Sequence, residues 1–510
     1  MEVLRTETQP DENGRDTITD VVPTAVLQRF THGRIPIFTS KETITRENVV
    51  DILNAAYTTH SNNSADIEYL YNYYKGVQPI LSRQKEIRPE INNKVVVNTA
   101  SEIVSFKSGY LTGEPIQYIS RSSEEKDNKF ITELNDYMYV EDKAEKDSEL
   151  SEWAYICGTS FRLIQPNKKY NKDDTFGDES PFKIYTLDPR YTFVIRCSNL
   201  ENEVVAGVKY VCNDDGDMIF SVFTDTTYFE IKSNTIIKEE THKCGRVPII
   251  EYPANNARLG AFELCLPLLD ARNTIESNRV DGVEQFIQSL LVVIGVDMDG
   301  IDSKSLRNDG GLQLPNGADA KYLVQELNQT QIQALIDNIY SSILTISGMP
   351  SQGDGNTSDS SNNGAVIVRN GWQHAESRAK ETVAKFTKSE KELLKIAFRL
   401  IGDIAGTKLI KLSSVDVKFT RYNFENLLVK AQVLAMLLST EKIDPPYCFK
   451  SSGMFTDPEA VWAASKKYME EKKAESQRRE AENNMQNTDD GTENNNAPAV
   501  NNIGVEGIEE

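Results

Sequence analysis

The feature that most constrains the fold is a very long helical pattern that follows directly after a polar loop. Residues 347–364 read SGMPSQGDGNTSDSSNNG and contain almost no apolar side chains. Residues 365–402 then carry apolar residues at helical spacing, from Val366 to Leu400. A helix over these 38 residues would extend about 57 Å at 1.5 Å per residue. This exceeds the usual length of a helix in a globular domain, so the sequence predicts an extended architecture.

Two further helical patterns precede the polar loop and flank a small β segment. The first runs from Pro267 to Ser289 and the second from Gln329 to Ile346. Proline is tolerated in the first turn of a helix, where its missing N–H is not needed. Between these patterns, the runs 290–296 and 311–314 are predicted to be strands. We expect two helices with a small tip, projecting from a larger body like a hairpin.

The first half of the chain changes from helical spacing to strand spacing. Helices are predicted from Thr45 onward, over 64–74 with a stop at Gly76, over 95–109 and over 141–157. From residue 161 the period is 2, which is typical of an antiparallel meander in a β-rich lobe. The predicted strands are Phe161–Ile164, Phe182–Thr186, Tyr191–Arg196, Val204–Val211, Met218–Thr224, Tyr228–Lys232 and one within Gly245–Ile250. Beyond the long helix, a strand at 415–421 and helices at 424–439 and 458–481 are predicted, which makes the fold class α+β.

Composition limits the functions that such a chain can perform. The 510 residues include 56 Lys and Arg against 77 Asp and Glu, for a net charge of −21. Gripping nucleic acid requires clustered cations, so this balance is unfavourable for a tight DNA-binding protein but compatible with one that lets DNA slide. The absence of a long apolar run predicts a soluble protein without a membrane span. The six scattered cysteines are expected to be reduced and mostly buried.

The sequence contains few motifs that are typical of catalysis or metal binding. No P-loop, G-x-S-x-G elbow or zinc-binding histidine spacing occurs, so we expect no catalytic residues, no metal and no cofactor. The run Asn213–Asp217 resembles part of a calcium loop but lacks the expected glutamate, and a hairpin turn is the favoured interpretation. An alternative is a divalent-metal-dependent nuclease or transferase that uses Asp214, Asp215 and Asp217.

The order of these elements resembles that of portal proteins of tailed bacteriophages, in particular the siphophage type of about 500 residues. The segment GYLTGEP at 109–115 is similar to the family's segment before the first wing strand. The segments TDTTY at 224–228 and GRVPII at 245–250 resemble the paired strands that lead to the stem, and VDVKFTR at 415–421 resembles the strand after the long helix. The resemblance covers roughly residues 45 to 475, and the whole order carries it more than any single motif.

The resemblance implies a portal-type α+β fold with an α/β wing, a two-helix stem, a small α/β clip, a long kinked helix and a helical crown. The implied segments are an N-terminal extension (1–45), wing (46–257), first stem helix (258–289), clip (290–327), second stem helix (328–347), tunnel loop (348–364), long helix with returning wing strand (365–422), crown (423–475) and an acidic disordered tail (476–510).

The resemblance also implies a non-enzymatic role and a set of partners. The chain would form a ring, usually of twelve subunits, at one capsid vertex, with double-stranded DNA passing through it without sequence specificity. Further implied partners are the terminase large subunit, major capsid and scaffolding proteins, and a head-completion adaptor, with no membrane. The protein would be found in the virion and would assemble in the host cytoplasm.

Three groups of candidate site residues follow from this resemblance. The tunnel loop would face DNA with Ser351, Gln352, Asp354, Asn356, Thr357, Asp359, Asn362 and Asn363. The clip would dock terminase and adaptor with Asp299, Asp302, Lys304, Arg307 and Asn308. On the first stem helix, Arg272, Glu276 and Arg279 share a face, which could contact a neighbouring subunit, face the channel or be an ordinary solvated face.

A third class of protein also remains open at the level of sequence, a capsid scaffold or adaptor without a channel. A central hole in the assembled particle would distinguish the portal from it. Magnesium-dependent DNA cleavage that Asp215→Ala abolishes would instead favour the nuclease.

Overall fold

The computed structural model describes residues 8–10, 16–18, 32–121, 124–171, 179–287, 290–294, 319–323, 329–350, 372–420, 427–440, 442–455 and 458–488. The chain divides into two compact units, Met1–Phe424 and Glu425–Glu510. The described part of the first unit combines helices and sheets, and that of the second is helical. The predicted α+β class is confirmed.

The helices of the first unit bury stripes of side chains at helical spacing. In the first helix, the buried positions recur every three or four residues, from Val49 through Leu53, Ala56 and His60 to Asn63. The helices are α1 (Val49–Tyr74), α2 (Thr99–Thr112), α3 (Glu125–Val140), α4 (Lys143–Cys157), α5 (Leu266–Ile287), α6 (Gln329–Ser347) and α7 (Trp372–Leu400). A π-helical turn, Ile401–Ala405, follows α7, so the predicted long helix ends in an irregular turn.

The strands of the first unit form several sheets. The strand order is β11-β10-β9-β8-β7-β3 in a six-stranded sheet and β12-β5-β6 in a three-stranded sheet, while β1–β2, β13–β14 and β4–β15 are two-stranded. The strands are β1 (Thr8–Pro10), β2 (Asp16–Ile18), β3 (Ile37–Thr39), β4 (Gln117–Ser120), β5 (Thr159–Pro166), β6 (Phe182–Leu187), β7 (Thr192–Cys197), β8 (Val204–Cys212), β9 (Met218–Phe223), β10 (Thr227–Lys232), β11 (Thr235–Thr241), β12 (Ile249–Pro253), β13 (Leu290–Ile294), β14 (Asp319–Leu323) and β15 (Val415–Lys418).

The two larger sheets pack face to face because alternate residues of their strands point to opposite sides. Phe161 and Leu163 of β5 pack with Val194 of β7 in the core between the sheets. On the other face of β7, Phe193 and Ile195 belong to a core with α1. The outer face of the three-stranded sheet contributes to the largest core, with α2, α4 and α7. The predicted single meander is therefore divided between two stacked sheets.

The N-terminal part of the chain contributes more to the core than the sequence predicts. Within the segment predicted to be an extension with little core, Ile37 is buried, and its strand β3 pairs in parallel with β7. The sequence predicts one helix that ends before residue 64 and a second that begins there. This prediction is wrong, because α1 is continuous through that position. The polar Asn63 lies inside it, where its side chain accepts from the Ile35 amide and donates to the Ile35 carbonyl, at 2.9 and 2.8 Å.

Several other local predictions differ from the structure. Residues 95–98 are extended, and α2 begins at Thr99 after Asn98, whose side chain accepts from the Ser101 amide. Helix α3 and strand β11 were not predicted. Strand β13 pairs with Asp319–Leu323, whereas the predicted run 311–314 lies outside the described residues.

The second unit contains helices α8 (Leu427–Ser439), α9 (Pro445–Ser452) and α10 (Pro458–Thr488). Phe449 of α9 packs against Phe455 and Trp462, with ring centroids 5.6 and 5.7 Å apart. The prediction of a disordered tail from residue 476 is wrong for 476–488, because α10 continues to Thr488. Glutamate, glutamine, arginine and alanine in this stretch favour helix, and residues 489–510 lie outside the described part of the chain.

Candidate functional site: the helical pair and its anchorage

Helices α5 and α6, called the helical pair below, pack against each other, and the antiparallel strands β13 and β14 lie between them in the chain. Two helices flanking a small β module are the arrangement that the sequence predicts. Both helices are anchored to the rest of the first unit, since Leu269 of α5 and Ile343 of α6 belong to the largest core.

A polar ladder attaches α5 to an extended segment of the chain. Asn273, Ser277 and Asp281 are buried side chains at four-residue spacing on one face of α5. They accept hydrogen bonds from the backbone amides of residues 97, 95 and 93, at 2.8, 3.0 and 2.8 Å respectively. The extended segment therefore runs antiparallel to α5.

The ladder forms because the residue spacing along the extended segment nearly matches the spacing between turns of α5. Every second residue of an extended chain advances about 6.6 Å, and every fourth residue of a helix about 6 Å. Amides on one side of the segment thus meet successive turns of α5. Asp281 also accepts from Lys85 at 3.0 Å and pairs with Arg83 at 3.1 Å. Burial opposes ionisation of Asp281, but bonds from Asn93 and Lys85 lower the pKa of its carboxyl group.

The predicted stem residues have partners within the same chain. The Arg272 guanidinium donates to Thr99 Oγ1 at 2.7 Å and lies 4.4 Å from the ring centroid of Tyr340 on α6. Arg279 donates to the side chains of Gln329 and Gln333 on α6, both at 2.9 Å, and lies 3.9 Å from Glu276. These arginines join α5 to its own neighbours, a contact that the sequence alone did not indicate.

The long helix α7 is fixed to α4 and β5 by a buried charge cluster that sequence reasoning missed. This cluster consists of Lys143 and Asp147 on α4, Arg162 on β5 and Glu390 on α7, and all four side chains are at most 4% exposed. Lys143 and Arg162 each contact both carboxylates, at distances from 2.7 to 3.4 Å. The two positive and two negative charges balance, which a buried ionic group requires.

Two tyrosine hydroxyls provide further hydrogen bonds to the buried Glu390 carboxylate. Tyr118 on β4 and Tyr252 on β12 donate to its carboxylate at 2.6 and 3.0 Å. Burial and the neighbouring negative charge raise the pKa of both tyrosines well above the ordinary value, so both remain hydrogen-bond donors. Burial alone would lower the pKa of Arg162, but Asp147 and Glu390 raise it.

A second buried carboxylate joins the N-terminal segment to the turn before α5. Glu263 accepts from the Gly33 amide at 2.8 Å, from Arg34 at 2.7 Å and from the Gly260 amide at 2.7 Å. Because Glu263 stands just before α5, this contact fixes the start of the helical pair. It also explains why residues 33–39 belong to the folded body.

The remaining predicted site residues lie partly outside the described ranges. The tunnel-loop candidates at 351–363 and the clip candidates at 299–308 are among them, and both groups remain predictions. Asp214, Asp215 and Asp217 lie in the turn between β8 and β9, whose strands pair from Cys212 with Met218. The predicted hairpin is confirmed, and Asp217 pairs with Lys232 at 2.9 Å.

The described residues also bear on metal binding, membrane spans and the state of the thiols. Within the described ranges, no group of three His, Cys, Asp or Glu side chains is placed to hold a metal ion. No helix in the described part of the chain is long and apolar enough to cross a membrane. All six cysteines are free, and all but Cys212 are buried, which confirms the prediction of mostly buried thiols.

Comparison with known proteins defines the family. Residues 54–484 match the family described as "Phage portal protein, SPP1 Gp6-like". This match extends over well more than half of the chain, and the chain belongs to this family of phage portal proteins. Proteins of this family are structural components of the phage particle. The assignment agrees with the resemblance found in the sequence.

Two further comparisons add little to this assignment. No curated protein matches the chain. A solved structure described as "Neck of empty GTA particle computed with C6 symmetry" is similar with 12% sequence identity and a TM-score of 0.41, over 70% of this chain and 90% of that chain. A similarity at this level carries no argument about function.

Proposed function

We propose that the protein assembles into a ring, of twelve subunits in the usual portal arrangement, at one vertex of the phage capsid. Double-stranded DNA would pass through the centre of this ring during packaging and again during ejection. The observation that carries the proposal is the family match over residues 54–484. The ring would assemble in the host cytoplasm and remain in the virion.

The charge of the chain is consistent with such a conduit. Each phosphate that a protein neutralises adds affinity through counterion release. A channel that gripped many phosphates would have to break those contacts at each step of translocation. A subunit with a net charge of −21 can line a channel with few cations, so that DNA slides rather than binds.

Each segment of the chain would have a different role in the ring. Residues 46–257 would form the wing and contact capsid and scaffolding proteins, and the helical pair would form the stem. Residues 348–364, with the candidates Ser351 to Asn363, would line the tunnel as an adaptable collar around DNA. The long helix and the strand β15 would return the chain to the wing, and residues 423–475 would form the crown.

The partners would dock on the clip, residues 290–327. Its candidates Asp299, Asp302, Lys304, Arg307 and Asn308 would meet the terminase large subunit during packaging and the head-completion adaptor afterwards. Because the chain contains no P-loop sequence motif, the proposal assigns ATP hydrolysis to the terminase.

Electron microscopy and sedimentation of the purified full chain test this proposal. We expect closed rings with a central opening wide enough for a DNA duplex. A chain that sediments as a monomer at all concentrations would contradict it, and a closed particle without an opening would instead favour a scaffold or adaptor.

A further inference from the structure

One face of α7 is positively charged, although the chain as a whole is strongly acidic. We define the basic stripe as Arg378, Lys385, Lys388, Lys395 and Arg399. At 100° per residue these positions fall within an arc of about 100° and extend over about 30 Å. All five side chains are exposed or partly exposed, which makes the stripe accessible within this chain.

Three carboxylates lie on or beside the same face, Glu381, Glu392 and Asp403, and the five cations of the stripe outnumber them. Asp403 lies 3.8 Å from Arg399. Glu392 is shared between Lys395 and Arg246, at 2.5 and 3.1 Å, and Arg246 adds a further cation beside the stripe. Within the described residues, no carboxylate lies at ion-pair distance from Lys385 or Lys388. The stripe therefore retains unneutralised positive charge.

A stripe of opposite charge lies on α4. We define the acidic stripe as Glu145, Glu149 and Glu152, which share one face at i, i+4 and i+7. Burial raises the pKa of Glu149, and the charges of Glu145, Glu152 and Asp188 raise it further. These carboxylates thus repel one another, and a cationic partner would relieve that repulsion.

Helices α4 and α7 lie on the same outer face of the three-stranded sheet, where the buried charge cluster joins them. At 100° per residue, Glu390 lies about 170° around α7 from the middle of the basic stripe, and Asp147 lies about as far around α4 from the acidic stripe. The two stripes therefore point away from the cluster and from each other.

Helix α7 packs on β12, and its Lys385 contacts Asn256, three residues beyond that strand. Helix α4 packs on β5 and β6, and the Thr186 hydroxyl of β6 donates to the Lys146 carbonyl of α4 at 3.0 Å. Since the strand order is β12-β5-β6, β12 and β6 are the two edges of the sheet. The buried charge cluster joins both helices to β5 of this sheet.

Complementary faces on opposite sides of one subunit suit a head-to-tail contact between copies. Such a heterologous contact closes into a ring when the rotation per subunit allows it. Charge complementarity across an interface favours the correct register and suppresses wrong partners. Nucleic acid would also be attracted to the basic stripe, but it would leave the acidic stripe without a partner.

We propose that the basic stripe on α7 of one copy binds the acidic stripe on α4 of the next copy in the ring. This inference rests on the proposed function, because it assigns the faces through which the ring closes. It commits to a second copy of this chain as the occupant of both stripes.

A charge-swap experiment on the full chain tests the contact. The first variant, K385E/K388E, reverses the basic stripe, and the second, E145K/E149K, reverses the acidic one. Each variant alone would place like charges across every contact. We expect the concentration needed for half-maximal ring formation to rise by about tenfold or more in each. In an equimolar mixture, alternation of the two variants places opposite charges across every contact, so rings should form again.

The controls separate folding from assembly. K168E/K169E reverses two exposed lysines in the turn after β5 and should assemble like the wild type. Thermal unfolding of the monomers should show that both stripe variants fold. Assembly of wild-type rings should weaken as salt is raised, because exposed charges are screened.

The outcomes distinguish this inference from the proposed function. If the wild type and each stripe variant alone form rings equally well, or the mixture fails to restore assembly, the faces are assigned wrongly and the ring itself stands. If K385E/K388E weakens DNA retention while assembly is unchanged, the stripe is a nucleic-acid surface and the inference is overturned. If the wild type forms no ring, the proposed function fails as well.

Discussion

Arg162 of β5 and Glu390 of α7 meet with a nitrogen and an oxygen 3.3 Å apart, and neither side chain has any solvent exposure. The contact joins residues separated by 228 positions in the chain and fixes the middle of α7 to the three-stranded sheet.

Removing one partner from this cluster should be strongly destabilising. In Arg162→Met, Asp147 and Glu390 remain buried with one cation, Lys143, between them. Breaking a buried pair in this way costs about 3 to 5 kcal/mol. We expect a loss of this order in the free energy of unfolding, measured by chemical denaturation of the full chain.

The matched control is Arg246→Met, since Arg246 pairs with Glu392 on the same helix but with 54% and 37% of the two side chains exposed. Exposed pairs contribute about 1 kcal/mol or less. Equal costs for the two substitutions would show that burial does not set the strength of the joint.

Glu251 should make stability depend on pH in the acid range. Burial raises the pKa of its carboxyl group, but Arg258 and Arg196 outweigh this and lower it from 4.5 to about 2. The stabilisation is fully present above the unfolded pKa and is lost as pH falls through the folded pKa, between about pH 5 and pH 2. The shift corresponds to about 3 kcal/mol.

Unfolding of wild type and Glu251→Gln at several pH values measures this effect. The variant should be less stable than the wild type at pH 7, and the difference should shrink as pH falls below 4.5. A difference that is the same at pH 7 and at pH 3 would contradict the assignment.

The sequence predicted the elements of this fold better than their contacts. The bounds of α6 were close because its apolar positions repeat at helical spacing. Those of α5 were also close, although its buried face beyond Leu269 consists of Asn273, Ser277 and Asp281, whose burial the sequence does not predict. The joint between Arg162 and Glu390 could not be found in this way, since a charged residue in a strand normally predicts a solvated position. Its burial depends on partners far away in the chain.

Local polarity also misled the prediction where tertiary contacts satisfy polar groups. The sequence predicts a new helix over 64–74, but Asn63 lies inside the continuous α1, where the Ile35 backbone satisfies its side-chain amide. The residues 95–98 suggested the start of a helix because they are apolar, although the ladder on α5 holds the segment extended. In contrast, α3 could have been found, because Phe130, Leu134 and Met138 recur at helical spacing.

Gly158 should not tolerate a side chain. It ends α4 with φ +82°, and a Cβ there would lie 2.0 Å from the Arg258 carbonyl oxygen. Because the neighbouring atom is backbone, the turn before α5 would have to move. We expect Gly158→Ala to lower the free energy of unfolding by at least about 2 kcal/mol, measured by denaturation.

Gly109→Ala provides the opposite control. Gly109 lies inside α2, and a Cβ there would have no atom within 4 Å. Replacing glycine by alanine in a helix interior stabilises by about 0.5 to 1 kcal/mol. If both substitutions destabilise the protein similarly, the close approach at Gly158 is not the cause.

Asp281 should protect a specific backbone amide from hydrogen exchange. The Asn93 amide donates to Asp281 Oδ1 at 2.8 Å, in a segment that pairs with none of the described strands. In Asp281→Ala, this amide loses its acceptor, while the other two hydrogen bonds of the ladder, to Ser277 and Asn273, remain. Loss of one hydrogen bond corresponds to about a tenfold fall in protection, and amide exchange measured residue by residue would detect it at Asn93.

Thr274→Ala changes the exposed side of α5, where the hydroxyl binds only the Asp270 carbonyl of its own helix. This substitution should leave exchange at Asn93 and Val95 unchanged. In Asp281→Ala, protection at Val95 should fall less than at Asn93, because Ser277 still accepts from Val95 at 3.0 Å. If both amides lose protection equally, the segment detaches from α5 as one unit, and the rungs of the ladder do not act separately.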